Sequence, residues 1–337
     1  MIGPTRPHRR SAPWRLAPLL LAFAALPAVG WAAAPVASTT TTTTSVVTTT
    51  ATVAGIDAAP LLECPRPDCA VRTRVPRGRS VGIEGEPTAG YAPVTDGRER
   101  GFVNDTYLFR DGAPAPWLIS GAPGCDRVAL LFNIGSGFEP ATDILDTLAA
   151  ERVPATMFVM GWWAEQNADL LQRLTASFPI GSHGYLPPEL TERSDWDVAD
   201  DLQTAAAAIA AAGGAPPGPW FTPYAAGTNE RVRAIAAGQG YLSVGWSVAT
   251  DDWRPDVTAD EIYRRVVDQI HDGAIVELHF DSSATTGTTA LALPDIVSTL
   301  RARGYRFVTI PEMAEPCGAF GDGVSATPSA STTGVPT

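Results

Sequence analysis

The sequence predicts an α/β fold of parallel βα units, preceded by a small all-β barrel, on three observations. The stretch VALLFNIGSGFEP, residues 128–140, opens on an apolar run without polar alternation, the pattern of a strand buried on both faces of a parallel sheet. From there to about Cys317, short apolar runs alternate with helical patterns. Ahead of it, residues 53–110 show only short β segments and turns.

The 337 residues, 45% hydrophobic and 18% charged, suffice for one large and one small domain with tails. The 36 acidic against 24 basic residues leave a formal charge of −12, which argues against a nucleic-acid partner and does not suit anionic lipid.

At the N-terminus, Arg6, Arg9, Arg10 and Arg15 precede an apolar run, 16–29, that is short for a membrane span and is followed by Ala32, Ala33 and Ala34. Residues 1–34 therefore read as an export signal cleaved near Ala34, with a twin-arginine route permitted by Arg9 and Arg10 and an uncleaved anchor as the alternative. Cleavage leaves no integral membrane domain and an exported protein: periplasmic, in the cell envelope or extracellular. Residues 35–52, dominated by Thr, read as a linker that cannot pack a core. Four cysteines suit export: Cys64 with Cys69 would staple a local loop, and Cys125 with Cys317 would tie the ends of the large domain. No Cys-x-x-Cys element is present, so they do not read as a structural zinc site.

The small domain, 53–110, orders its β segments as 70–73, 80–83, 91–94 and 100–103, closing on Tyr107 and Leu108. Pro76-Arg77-Gly78 before a strand, Tyr91 at a strand start and Gly101-Phe102-Val103 near the close resemble bacterial SH3-type domains. The resemblance implies either a module that binds peptidoglycan or other wall material, or a spacer packed on its neighbour. Residues 111–123 read as a linker.

The large domain, 124–317, begins with the strand over 128–132, ended by Gly135 and Gly137. Asn133 and Ile134 then stand where an α/β barrel keeps its chemistry. A strand over 153–161, a helix over 163–174 and an alanine-rich helix over 200–212, stopped by Gly213 and Gly214, follow. The segments 291–294 and 304–309 close the domain, and 318–337 has the composition of a disordered tail.

The order of these elements, with five short motifs, resembles the polysaccharide deacetylases, the NodB-homology family, over nearly the whole large domain. The resemblance implies a distorted (β/α) barrel, removal of acetyl groups from N-acetyl sugars, and a zinc ion held by two His and one Asp. The family's Thr-Phe-Asp-Asp-Gly reads here Leu131-Phe132-Asn133-Ile134-Gly135, so Asn133 stands for the general base and Ile134 for the metal-binding Asp. Its His-Ser/Thr-x-x-His keeps the first member as His183, while Pro187 replaces the second. Arg-x-Pro-Tyr-Gly reads Phe221-Thr222-Pro223-Tyr224-Ala225, and Phe221 takes the place of the Arg that holds the base. Asp252-Trp253 and Leu278-His279 are kept, and Asp252 with His279 is expected to pair as the remnant of the family's general acid.

Base, base partner and metal ligands act as a unit, so losing several together removes the use of each. The reading that follows is a protein that keeps a binding groove formed by His183, Tyr224, Trp253 and Leu278, has no chemistry and no metal cofactor, and takes cell-wall polysaccharide or peptidoglycan as partner. Trp162, Trp163, Trp220, Trp246 and Trp253 either stack on sugar or belong to the core. Two alternatives stand beside it: a zinc-dependent deacetylase with relocated ligands, drawing on His183, His279, Asp281 or Glu277, and a structural spacer in an envelope assembly.

Overall fold

The structure, a computed structural model, describes residues 49–285 and 287–319. The expected export signal, residues 35–48 of the expected linker and the tail from residue 320 lie outside the described residues. Among the described residues no helix is long and apolar enough to cross a membrane.

Seven short strands come first: β1 (Thr49–Val53), β2 (Ala58–Leu62), β3 (Val71–Pro76), β4 (Ser80–Ile83), β5 (Tyr91–Thr95), β6 (Arg100–Asn104) and β7 (Leu108–Arg110). They form one antiparallel sheet in the order β3-β2-β6-β5-β4-β1-β7 around a core that includes Val53, Leu61, Val75, Val94 and Val103. The end of the expected 35–52 linker is thereby corrected, because Thr49 to Thr52 pair with β4 and belong to β1. A β-branched Thr suits a pleated strand as well as a solvated spacer, and the neighbouring strands decide which it becomes.

The larger part follows as β8 (Trp117–Leu118), β9 (Arg127–Ile134), α1 (Asp143–Ala150), β10 (Thr156–Val159), α2 (Gly161–Gln166), α3 (Ala168–Thr175), β11 (Ile180–Ser182), α4 (Asp195–Gly213) and β12 (Trp220–Phe221). It continues with α5 (Glu230–Gly238), β13 (Leu242–Val244), β14 (Val248–Ala249), α6 (Ala259–Gln269), β15 (Ile275–His279), α7 (Thr289–Ala302), β16 (Arg306–Val308) and α8 (Ile310–Met313). The linker expected over 111–123 also contains structure, since β8 pairs with β13 as an edge strand of the large sheet. The helix expected over 163–174 is two helices, α2 and α3, separated at Asn167, whose backbone leaves the helical region (φ −126°, ψ 39°) while its N–H and its side-chain amide both donate to the Trp163 carbonyl. The alanine-rich helix starts earlier than expected, at Asp195, because Ser194 caps it by accepting from the Asp197 N–H; Gly214 ends it at φ 85°.

The large sheet is parallel and runs β14-β15-β9-β10-β11-β12-β13-β8, with β16 also on β9. Its two ends are joined along the chain. β13 and β14 are halves of one strand interrupted at residues 245–247, the first half pairing with β12 and β8 and the second with β15. This is a distorted (β/α) barrel, and β9 is its centre, buried along all eight residues. Alternation splits β9 into two sets. Ala129 and Leu131 face the barrel interior with Phe158, Leu242 and Ile275, whereas Val128, Leu130, Phe132 and Ile134 face the helix layer with Ile144, Val266 and Val297.

The two parts pack on each other. Gly55 N–H donates to the Gly240 carbonyl (2.9 Å), Asn104 Nδ2 to the Ala314 carbonyl (3.0 Å) and Tyr107 Oη to Glu315 Oε1 (2.6 Å). Gly55 must be glycine: its φ is 79°, and a Cβ there would lie 2.5 Å from Leu242 Cβ. Two disulfides, Cys64–Cys69 and Cys125–Cys317, complete the frame.

Candidate functional site

A cavity of about 310 Å³ opens at the C-terminal ends of the parallel strands, where α/β barrels place their sites. Asn133 from β9, His183 after β11, Tyr224 after β12, Asp251 and Trp253 after β14, and Glu277 and His279 from β15 line it, with Trp246 from the interrupted strand. His279 is in register with Asn133, which sets the two strands' terminal side chains next to each other.

Asp252 organises one wall. It is fully buried, and its Oδ2 accepts from the His279 N–H (2.9 Å) and from Thr289 Oγ1 (2.6 Å), while Oδ1 lies 2.7 Å from His279 Nδ1. Burial alone would depress the His279 pKa; the Asp252 carboxylate reverses this and raises it to about 9, so the ring is an imidazolium at neutral pH. Glu277 stands beside it, Oε1 3.7 Å from His279 Nε2. Burial pushes Glu277 up to about 7, against the lowering effects of His279 and of the Asn133 amide.

A directed chain of hydrogen bonds crosses the floor. His183 Nδ1 lies 2.9 Å from the Thr222 carbonyl, which can only accept, so that nitrogen carries the proton. It also lies 2.8 Å from Thr222 Oγ1, which donates onward to Asn133 Oδ1 (3.1 Å); Asn133 Nδ2 donates to Glu277 Oε1 (3.2 Å). Burial drops the His183 pKa to about 3, so this ring is neutral with Nε2 as acceptor.

The surrounding loops are held by buried carboxylates. Asp281 accepts from the N–H groups of Gly135 (3.0 Å), Ser136 (3.1 Å) and Gly137 (2.9 Å), fixing the glycine-punctuated turn after β9. Asp201 accepts from Tyr185 N–H (2.7 Å) and from Arg193 Nη1 (2.6 Å), fixing the loop after His183. On the opposite lip Ala225 and Ala226 adopt φ 52° and 55°, a left-handed conformation that costs side-chain-bearing residues energy.

The structure gathers His183, Tyr224, Trp253, Asn133, Asp252 and His279 around or directly behind the cavity. It does not place Leu278 there, and that groove assignment is corrected: Leu278 alternates with His279 and is fully buried in the helix-side core. Ile134 lies in the same core. Phe221 is buried against Val198 and Leu202 and stacks edge-on with Tyr241, and Pro187 is exposed in a loop away from the cavity lining. The tryptophans divide, Trp246 and Trp253 lining the cavity and Trp163 belonging to the core.

A zinc ion of the kind the resemblance implies does not fit these residues. A catalytic site needs three protein ligands. Ile134 offers hydrocarbon on the wrong side of β9, and Pro187 has no side-chain donor atom, which leaves His183. Among the described residues no group of three or more His, Cys, Asp and Glu has metal-holding geometry. Glu277 and Thr222 are the site residues that reading for motifs underweights. The signal for Glu277 is strand alternation: residues 275, 277 and 279 of β15 share the inward face.

An α/β barrel with a His–Asp pair at its strand ends matches a known class. Residues 120–244 match the sequence profile of the family described as polysaccharide deacetylase. A chitooligosaccharide deacetylase from Bradyrhizobium sp. (strain ANU 289) is 34% identical over 203 residues, covering 56% of this chain and 91% of that protein. The chain belongs to the polysaccharide deacetylase family. The peptidoglycan-N-acetylglucosamine deacetylase PgdA of Listeria monocytogenes is 33% identical over 188 residues, 56% of this chain; the match spans only 38% of PgdA's length. Among solved structures, a CE4 family pseudoenzyme from Bacillus anthracis superimposes with a TM-score of 0.56 at 28% identity, covering 63% of this chain and 77% of that one.

Proposed function

We propose that this protein is an exported member of the polysaccharide deacetylase family that has lost the family's metal-dependent hydrolysis and uses the remaining cleft to bind a cell-envelope glycan. One observation carries the reading: the residue in the place of the metal-binding Asp, Ile134, is fully buried in hydrocarbon on the helix side of β9. No rotamer change brings a ligand there, and Pro187 and Phe221 compound the loss. Trp246, Trp253 and Tyr224 supply the aromatic faces on which sugar rings stack. The relatives named for peptidoglycan and chitooligosaccharide support a polymeric amino sugar as ligand, and the pseudoenzyme with a similar fold supports inactivity. The β1–β7 sheet is read as an SH3-type module that adds a second wall contact, and the leader at 1–34 as the export signal.

The test is elemental analysis of the mature protein, from Pro35 onward, together with acetate release from acetylated chitin oligomers and peptidoglycan and a sedimentation assay on the same glycans. No metal, no acetate and retention on at least one glycan is the expected result; metal-dependent acetate release would sink the reading. A second reading, hydrolysis by relocated groups, is favoured by one arrangement. Glu277, held near 7, and the imidazolium of His279 form an acid/base pair at the cavity wall. Acetate release that disappears in Glu277→Gln would establish it.

A further inference from the structure

The deepest residues of the cleft are Asn133, His183 and Glu277, respectively 3%, 5% and 6% exposed. The hydrogen bonds already described fix what two of them have left to offer. Glu277 turns Oε1 to Asn133 and His279, and among the described residues its Oε2 has no protein partner. His183 spends its proton on Thr222, so its Nε2 is an acceptor, likewise without a protein partner among the described residues. Neither atom is sealed from solvent.

The charges point the same way. Asp252 is neutralised by the His279 imidazolium, and Asp251 by Arg265 at 2.7 Å. Among the described residues no Arg lines the cavity, and the chain contains no Lys. Glu277 is therefore the acidic group at the floor with no cation of its own, and a cationic ligand group beside Oε2 would hold it ionised. A buried pair made of a free carboxyl oxygen and an acceptor nitrogen offers a group with several N–H donors and a positive charge two partners, and an acetamide carbonyl, which can only accept, no donor from His183. Trp246, Trp253 and Tyr224 around it suit both a sugar face and a nearby cation.

We propose that the cleft selects amino-sugar units whose nitrogen is free, as an ammonium, over N-acetylated ones, with Glu277 Oε2 and His183 Nε2 accepting its N–H groups. The inference rests on the glycan-binding reading and specifies its ligand. The same pair is too few to hold a metal ion in a three-ligand site.

The experiment is isothermal titration of the full exported chain with the glucosamine hexamer and the N-acetylglucosamine hexamer at pH 7 in about 0.3 M salt, which screens long-range attraction. Spermine is the control for the net charge of −12. Wild type is expected to bind the free-amine hexamer at least about tenfold more tightly than the acetylated one, and Glu277→Gln to remove most of that preference, the size expected for a charge-assisted hydrogen bond. The wild-type comparison stands even if the variant fails to fold. Equal or reversed preference overturns the inference and leaves glycan binding intact; binding of neither hexamer overturns both. Spermine binding as tightly as the hexamer also overturns it, as does stoichiometric zinc that is lost in Glu277→Gln, because those acceptors would then be metal ligands.

Discussion

Glu277 and His279 both hold protons more tightly in the folded chain than in the unfolded one. Glu277 moves from its ordinary 4.5 to about 7, so the unfolded chain releases that proton first and stability falls as pH rises from about 4.5 through 7. His279 moves from 6.5 to about 9, and the stability its pair with Asp252 contributes is fully present below 6.5 and lost as pH rises through 9. Urea unfolding of wild type and Glu277→Gln at pH 5, 7 and 9 is expected to show the difference: the variant lacks the first decline, worth up to roughly 3 kcal/mol, and keeps the second. A decline of equal size between pH 5 and 7 in both proteins would contradict the burial argument. The residues of the site were unequally legible. Asn133, Asp252 and His279 sit inside short motifs at strand ends and were visible in the sequence. Glu277 was named only among possible relocated groups, and Leu278 was misplaced, because a dipeptide motif does not say which of its members faces inward; the period of two along β15 does.

At the scale of elements, the lip formed by residues 224–226 is under backbone strain. Ala225 stands where the family's motif has glycine, and it holds φ 52°. A left-handed Ala costs about 1–2 kcal/mol and glycine's extra freedom in the unfolded chain returns part of this, so Ala225→Gly is expected to stabilise the protein by about 1 kcal/mol. Thermal unfolding checks it, and a lower melting temperature would refute it. The apolar stretch of β9, 128–132, could be read from the sequence because burial on both faces favours such a run. Elements defined by partners could not. The threonines of β1 and the two residues of β8 carry no pattern of their own and become strands through β4, β7 and β13. The break at Asn167 is one residue's departure from helical backbone, accompanied by its side-chain amide on the Trp163 carbonyl, which no window of hydropathy contains.

For the whole molecule, the Cys125–Cys317 bond joins residues 192 positions apart and lies beside the segment that anchors the small domain, where Ala314 and Glu315 accept from Asn104 and Tyr107. Closing so long a loop restricts the unfolded chain strongly. The double substitution Cys125→Ser/Cys317→Ser is expected to cost about 3–5 kcal/mol, read as a urea midpoint lower than that of wild type when both are unfolded without reductant. An unchanged midpoint would mean that packing alone closes the domain. The sequence offered the cysteine pairs and, as one of two alternatives, a small part packed on its neighbour, but not which residues meet, since Gly55, Asn104 and Tyr107 are unremarkable until Gly240, Ala314 and Glu315 are beside them. The interruption at residues 245–247 gives the barrel a seam. On either side of Trp246 the chain is tied to a different strand, Gly245 N–H donating to the Leu118 carbonyl of β8 and Ser247 N–H to the Ile275 carbonyl of β15. Trp246, between these two anchors, lines the same cleft as Asn133, Glu277 and His279. On the glycan-binding reading proposed above, the Trp246 ring would be presented to its ligand from a segment pinned on both sides.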